Sequence, residues 1–135
     1  KAAVAAVMVS IEIVDDRYRD YRSLDVHTLI ADDFFNAGCV LGEPVRNWHN
    51  LDLAEIGGGM WVNGTKFGAG RGADILGHPL NALAWIARRW RELGVKVEAG
   101  TVVTLGSLVQ TVWVERGDRI EVEIEGLGTA ALRLV

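Results

Sequence analysis

Arg119-Ile120-Glu121-Val122-Glu123-Ile124-Glu125 alternates charged and β-branched residues without a fault. A strand sends successive side chains to opposite faces, so Ile120, Val122 and Ile124 point inward and the glutamates point to water. Working outward, residues 101–105, 111–115 and 129–135 read as further strands, separated by glycine-containing turns. Asn63-Gly64 is the strongest hairpin signal in the chain. A type I′ turn needs positive φ at both central residues, which Asn-Gly tolerates best. It joins residues 56–62 to residues 65–68. Cys39-Val40-Leu41 reads as a short strand. Residues 8–14 alternate again, with Val9, Ile11 and Ile13 on one face and Met8, Ser10, Glu12 and Val14 on the other.

Helices are fewer. Residues 79–93 carry Leu80, Leu83, Ala84, Ala87, Trp90 and Leu93 at three- and four-residue spacing. Pro79 suits a first helical position and Gly94 suits the left-handed position after the end. Arg88, Arg89 and Arg91 fall in the last turns, where positive charge complements the helix dipole. Asp25 caps a short helix expected to run to about residue 35. The alanines of residues 2–6 read as the end of another helix. The expected fold class is α+β, a sheet-dominated core covered by one long and one or two short helices.

Composition narrows the function. At 135 residues the chain is expected to form a single domain, residues 1–135. A net charge of −4 argues against a nucleic-acid partner, which requires a basic surface. The single cysteine, Cys39, sits in an apolar run and reads as a buried structural thiol. With no internal disulfide to form, the default compartment is the reducing cytoplasm. No membrane-spanning or targeting segment is visible, and Lys1 reads as an internal residue of a longer chain. His27, His49 and His78 share no zinc-ligand spacing. Gly68-Ala-Gly70-Arg-Gly72 follows a hairpin strand rather than opening a βαβ unit, which disfavours dinucleotide binding.

On physical grounds alone, Glu12 is the candidate of interest. A carboxylate in mid-strand between Ile11 and Ile13 is costly to bury unless it is paired, hydrogen-bonded or bound to a metal. The alternative is that its face is simply wet.

Three stretches carry a resemblance. They are residues 73–83 (Ala-Asp-Ile-Leu-Gly-His-Pro-Leu-Asn-Ala-Leu), residues 99–107 (Ala-Gly-Thr-Val-Val-Thr-Leu-Gly-Ser) and residues 116–128 (Arg-Gly-Asp-Arg-Ile-Glu-Val-Glu-Ile-Glu-Gly-Leu-Gly). In this order and spacing they resemble the C-terminal part of the fumarylacetoacetate hydrolase superfamily, in its 2-oxopent-4-enoate hydratase and 4-oxalocrotonate decarboxylase branch. The resemblance implies the mixed β-roll or sandwich of that superfamily. It also implies a catalytic C-terminal portion of a longer enzyme, working as a homo-oligomer or paired with an N-terminal half.

The implied substrate is a small 2-oxo or 2-hydroxy acid, and the implied cofactor a divalent metal, Mg²⁺ or Mn²⁺. The metal acts as a Lewis acid while a 2-hydroxy-2,4-dienoate ketonises and takes up water. Hydratase is the first reading, from residues 71–81. A decarboxylase is the alternative, and a non-catalytic scaffold the third. Residues 10–17, Ser-Ile-Glu-Ile-Val-Asp-Asp-Arg, resemble the segment in which Glu12 would be a metal ligand. Ala31-Asp32-Asp33 resembles a segment in which an acidic residue near the site, here Asp32, orients substrate. Asn36 and Gly38 lie where relatives approach substrate. Thr104-Leu-Gly-Ser107 resembles a substrate-carboxylate loop, with Ser107 as a hydroxyl donor. A Glu-x-Glu pair that supplies two further ligands upstream in this branch has no counterpart here. Glu121-x-Glu123 has the spacing but lies late in the chain and on the outward face.

Overall fold

The computed structural model describes residues 1–135. The expected α+β architecture is present as two antiparallel sheets and one long helix. Strands β1 (Ser10–Val14) and β2 (Asn36–Leu41) form the smaller sheet. Strands β3 (Gly57–Val62), β4 (Thr65–Arg71), β5 (Arg119–Ile124) and β6 (Gly128–Arg133) form the larger, in the order β4-β3-β5-β6. The Asn63-Gly64 turn joins β3 to β4 with φ of 51° and 79°, positive at both positions as type I′ requires. Its Asn63 side chain donates to Asp118 at 2.7 Å and accepts from the Arg119 amide at 2.9 Å, which ties the hairpin to the start of β5.

Alternation in β5 has its expected consequence. Ile120 is buried, Val122 and Ile124 are half-buried, and Glu123 is exposed. These apolar residues share the inner face with Met60 and Gly58 through the β3–β5 register. The two sheets meet where Val9, Leu127 and Ala130 form a small core, flanked by Ile11, Val45 and Ile56.

Helix α1 (Val26–Ala31) is capped by Asp25, whose carboxylate accepts from the His27 and Thr28 amides. It stops at residue 31, short of the expected 35. Asp33, Phe34 and Phe35 then take φ of 57°, 50° and 66°. A left-handed run cannot continue a right-handed helix. Helix α2 (Pro79–Glu92) begins at His78, whose Nδ1 accepts from the Leu80 amide at 3.0 Å. It ends in a Schellman motif, with Val95 N–H donating to Trp90 C=O and Gly94 N–H to Arg91 C=O.

Two further expectations are overturned. Residues 2–6 are not helical; the chain makes a turn and reaches a single bridge between Val7 and Val45. So short an alanine-rich stretch cannot offset the cost of helix nucleation without a packed face. Residues 101–105 and 111–115 are extended in pattern but pair with nothing. Val103 and Leu105 turn inward and Thr104 outward, so the period holds, yet no strand edge lies alongside to complete a ladder. No helix is long and apolar enough to cross a membrane.

Candidate functional site

A cavity of about 1050 Å³ opens between β1, the inner face of the larger sheet, α2 and the extended residues 97–112. Its walls are mostly apolar, with Met60, Val122, Leu83 and Trp90 among them. Only nine of the 135 residues are buried, so this hollow takes the place that a filled interior would occupy.

Glu12 and Ser107 both line it. Glu12 sits in the middle of β1 and is exposed, on the face opposite buried Val9 and half-buried Ile11 and Ile13. Of the two alternatives for this face, the exposed one holds, with Glu12 in an open position beside the cavity. The carboxylate makes no hydrogen bond or ion pair with the rest of the chain. Its cross-strand neighbour is Cys39, and Ser10 faces Leu41 in the same way. Cys39 is exposed, contrary to the buried thiol expected. Strand alternation places it on the Glu12 side of the small sheet, while Val40 turns the other way.

Ser107 lies at the bend of the extended segment. Its hydroxyl donates to Val109 C=O and accepts from Val109 N–H at 3.3 Å. The preceding Gly106 has φ of +130°, a conformation glycine adopts without strain. The loop thus presents a hydroxyl at the cavity wall, held by its own backbone.

Asp32 and Asn36 occupy different ground, in the turn between α1 and β2, and neither is among the residues lining the cavity. Asp32 is engaged on several sides. It accepts from Arg17 at 3.0 Å and from the Phe35 amide at 2.9 Å. Burial pushes its carboxyl up, but the hydrogen bond from Arg17, the Tyr18 hydroxyl, the Phe35 amide and the Arg17 charge together hold it below the usual range. Arg17 also reaches the carbonyls of Asp32 at 3.2 Å and Asn36 at 3.4 Å, spanning the left-handed turn. Asn36 donates to Asp33 at 3.0 Å and accepts from the Gly38 amide at 2.9 Å. Left-handed φ in non-glycine residues costs about 1–3 kcal/mol each and persists only where surroundings over-determine it. The Arg17–Asp32 clamp and the edge-on packing of Tyr18 against Phe35, centroids 6.0 Å apart, supply that determination.

Arg17 is the residue that sequence reasoning passed over. It was visible only as the last member of residues 10–17, and its contact to Asp32 spans fifteen positions. As for metal chemistry, no group of three or more His, Cys, Asp or Glu side chains converges within the chain. Glu12 and Glu98 are the carboxylates lining the cavity, and Glu12 is the one held on a strand; it suits one position of a divalent cation's shell and leaves most of the others to further donors.

Comparison with known proteins gives a consistent picture. The family described as fumarylacetoacetate (FAA) hydrolase C-terminal matches residues 1–135. A 4-oxalocrotonate decarboxylase of Pseudomonas putida is 34% identical over 134 residues, 99% of this chain and 50% of the relative. A 2-hydroxyhexa-2,4-dienoate hydratase of Comamonas testosteroni is 36% identical over 135 residues, covering 50% of the relative. The 4-oxalocrotonate decarboxylase of Pseudomonas putida G7, solved with magnesium and adipate, superposes with a TM-score of 0.90 at 32% identity, over 99% of this chain and 51% of that one. The same enzyme has been solved with calcium and acetate, with a TM-score of 0.87. The chain spans about half the length of the relatives it matches.

Proposed function

This chain belongs to the fumarylacetoacetate hydrolase family, matching its C-terminal domain over residues 1–135, and we propose that it forms the substrate-facing half of a metal-dependent hydratase. The reaction would be addition of water to a 2-hydroxy-2,4-dienoate of the 2-oxopent-4-enoate type, in the catabolism of aromatic ring-cleavage products. The observation that carries the reading is that Glu12 and Ser107 both line one apolar-walled cavity. Relatives of both reaction types, at 31–36% identity, support an enzyme acting on small 2-oxo or 2-hydroxy acids.

In this proposal Glu12 supplies one carboxylate ligand to Mg²⁺ or Mn²⁺, a choice of metal supported by the magnesium and calcium held in the similar structures. Such an ion, when bound, supplies Lewis-acid polarisation of a 2-oxo acid. Ser107 releases its hydroxyl from the Val109 carbonyl and donates it to the substrate carboxylate. Once the cavity is covered, its apolar walls from Met60, Val122 and Leu83 would exclude bulk water, which strengthens each polar contact inside. Asp32, held ionised by Arg17, cannot donate a proton near neutrality. Asp32, read from the resemblance as orienting substrate, is proposed to do so indirectly as a positioning residue, holding through Arg17 and the turn the strand that carries Asn36 and Gly38.

The remaining ligands, and the cover over the cavity, would come from an N-terminal half of about equal length or from another copy in a homo-oligomer, in keeping with the half-length match. Residues 1–135 would then form the C-terminal catalytic domain of a cytoplasmic enzyme. A decarboxylase is the second reading, favoured by the TM-score of 0.90 to 4-oxalocrotonate decarboxylase. A scaffold role is the third, favoured by the lack of a complete ligand set within the chain.

The test is an absorbance assay on the native polypeptide. Loss of the 2-hydroxy-2,4-pentadienoate band with Mg²⁺, abolished by EDTA, supports the hydratase. Release of CO₂ from a 4-oxalocrotonate-type acid without hydration moves the assignment to the decarboxylase. Neither activity in an oligomer that binds Mg²⁺ leaves the scaffold.

A further inference from the structure

The inner face of the larger sheet is unevenly clothed. On β5, Ile120, Val122 and Ile124 cover it. On β3 and β4 the same face carries Gly58, Gly68 and Gly70, with Gly58 directly opposite Gly70 and Met60 opposite Gly68. Glycine within a strand weakens it and marks a place where another backbone comes close. Here that backbone is Leu108–Val109, immediately after Ser107.

The three positions differ in how closely they are approached. A Cβ on Gly70 would overlap the backbone carbonyl oxygen of Leu108 and would stand 3.0 Å from Asp74 Oδ2. A Cβ on Gly58 would stand 2.8 Å from Leu108 Cδ1 and 3.2 Å from the Glu123 carbonyl. One on Gly68 would meet only the Val109 side chain, at 3.3 Å. A side chain yields by changing rotamer. A backbone carbonyl yields only if the loop itself moves.

No positive φ demands glycine at Gly70, so the close approach is the reason that remains. Asp74 blocks the other way out, since its carboxylate accepts from the Arg71 amide at 2.7 Å and is fixed beside the strand.

We propose that Gly70 is a positioning residue for Ser107: its missing side chain lets the Leu108 carbonyl settle onto the sheet and so sets the depth at which the Ser107 hydroxyl meets the cavity. The proposal rests on the reading of Ser107 as a substrate-carboxylate donor. Gly70 touches no substrate and acts through Leu108.

The experiment uses the native polypeptide and three substitutions, Gly70→Ala, Gly68→Ala and Ser107→Ala, with the double variant G70A/S107A. Dienoate KM and kcat are read beside Mg²⁺ affinity by calorimetry and amide hydrogen exchange over residues 106–110. Gly70→Ala should raise KM roughly tenfold while Mg²⁺ affinity stays within about twofold, because Glu12 lies on another element. Exchange of the Val109 amide should quicken as its bond to Ser107 is disturbed. The double variant should be no worse than Gly70→Ala alone, since residues acting through one contact are non-additive. Gly68→Ala should raise KM by a smaller but measurable factor, about two- to threefold.

A Gly70→Ala protein with wild-type KM and unchanged exchange overturns the proposal, as does full additivity in the double variant. Should Gly70→Ala not fold, Gly68→Ala decides: unchanged KM and unchanged Val109 exchange count against it. Altered exchange in Gly70→Ala together with a wild-type KM for Ser107→Ala removes the role of Ser107 instead, and with it the catalytic part of the proposal.

Discussion

Glu12 and Asp32 are both carboxylates that a sequence reading places near a reaction, and the fold treats them in opposite ways. Glu12 stands exposed on β1, at the wall of the cavity, with no partner in the chain. Asp32 is half-buried in the turn before β2 and accepts from Arg17 and from the Phe35 amide. A polar group satisfied by its own chain is contributing to architecture, and one left unsatisfied at a concave surface is available to a ligand. The two residues should therefore separate in experiment, one affecting turnover and the other stability.

Replacing Glu12 gives the largest expected effect. Glu12→Gln in the native polypeptide should abolish Mg²⁺-dependent turnover. Its melting temperature should hardly move, because substitutions at exposed, unpartnered positions usually change stability by no more than about 0.5 kcal/mol. A Glu12→Gln enzyme with wild-type turnover would break the comparison at its catalytic end. Ser107→Ala comes next. Losing one hydrogen bond to a charged group is worth about 1.5 kcal/mol, or roughly tenfold in KM, with kcat less affected. Steady-state kinetics on the dienoate would detect it, and an unchanged KM would remove Ser107 from the cavity's chemistry. Asp32→Asn acts at the other end. It removes the ion pair to Arg17 and weakens the acceptor for Phe35 N–H, so the protein should melt several degrees lower in calorimetry. Unaltered melting with lost turnover would mean that Asp32 is a reacting group and not a brace.

How much of this was readable beforehand depends on whether the cause was local. Asn63-Gly64, His78 with Pro79, and Gly94 act on their immediate neighbours, and each forms the turn or cap its chemistry demands. Residues 119–125, which alternate, and residues 101–105, Thr-Val-Val-Thr-Leu, both read as strands. The composition of each dictates an extended backbone, and both segments obey it. A ladder additionally needs an edge. Arg119–Ile124 finds β3 on one side and β6 on the other, whereas residues 101–105 find none.

The site divides along the same line. Glu12 stood out as an isolated carboxylate between two isoleucines, and Ser107 was reached only through the resemblance of Thr104-Leu-Gly-Ser107 to a substrate loop. The Arg17–Asp32 clamp was hidden because two exposed-looking polar residues fifteen positions apart announce no contact. The left-handed turn was hidden because only Asp33 of these three residues tolerates positive φ, and Phe34 and Phe35 give no signal of it. Gly68 and Gly70 were plainly visible, but as a glycine-rich run. Only the position of Leu108 gives their spacing a purpose.

The smallest expected effect concerns acid. In the folded protein the Asp32 carboxyl is held below its ordinary value. Burial opposes this, and the Arg17 hydrogen bond, Tyr18, the Phe35 amide and the Arg17 charge outweigh it. A depressed carboxyl contributes stability that is fully present above the unfolded value, near pH 4, and is lost as pH falls through the folded value. Asp25, Asp118 and Glu121 are depressed as well, so the whole protein should weaken in acid and its own pH curve cannot isolate one group. The difference between wild type and Asp32→Asn can. That gap in melting temperature should be constant from neutral pH down to about pH 5, then narrow below about pH 4 as wild-type Asp32 takes up a proton and comes to resemble the amide. Melting the two proteins in parallel across this range measures it. A gap that stays constant into acid would mean that neither the Arg17 ion pair nor the Phe35 amide favours the charged form, and that Asp32 braces the turn independently of its charge.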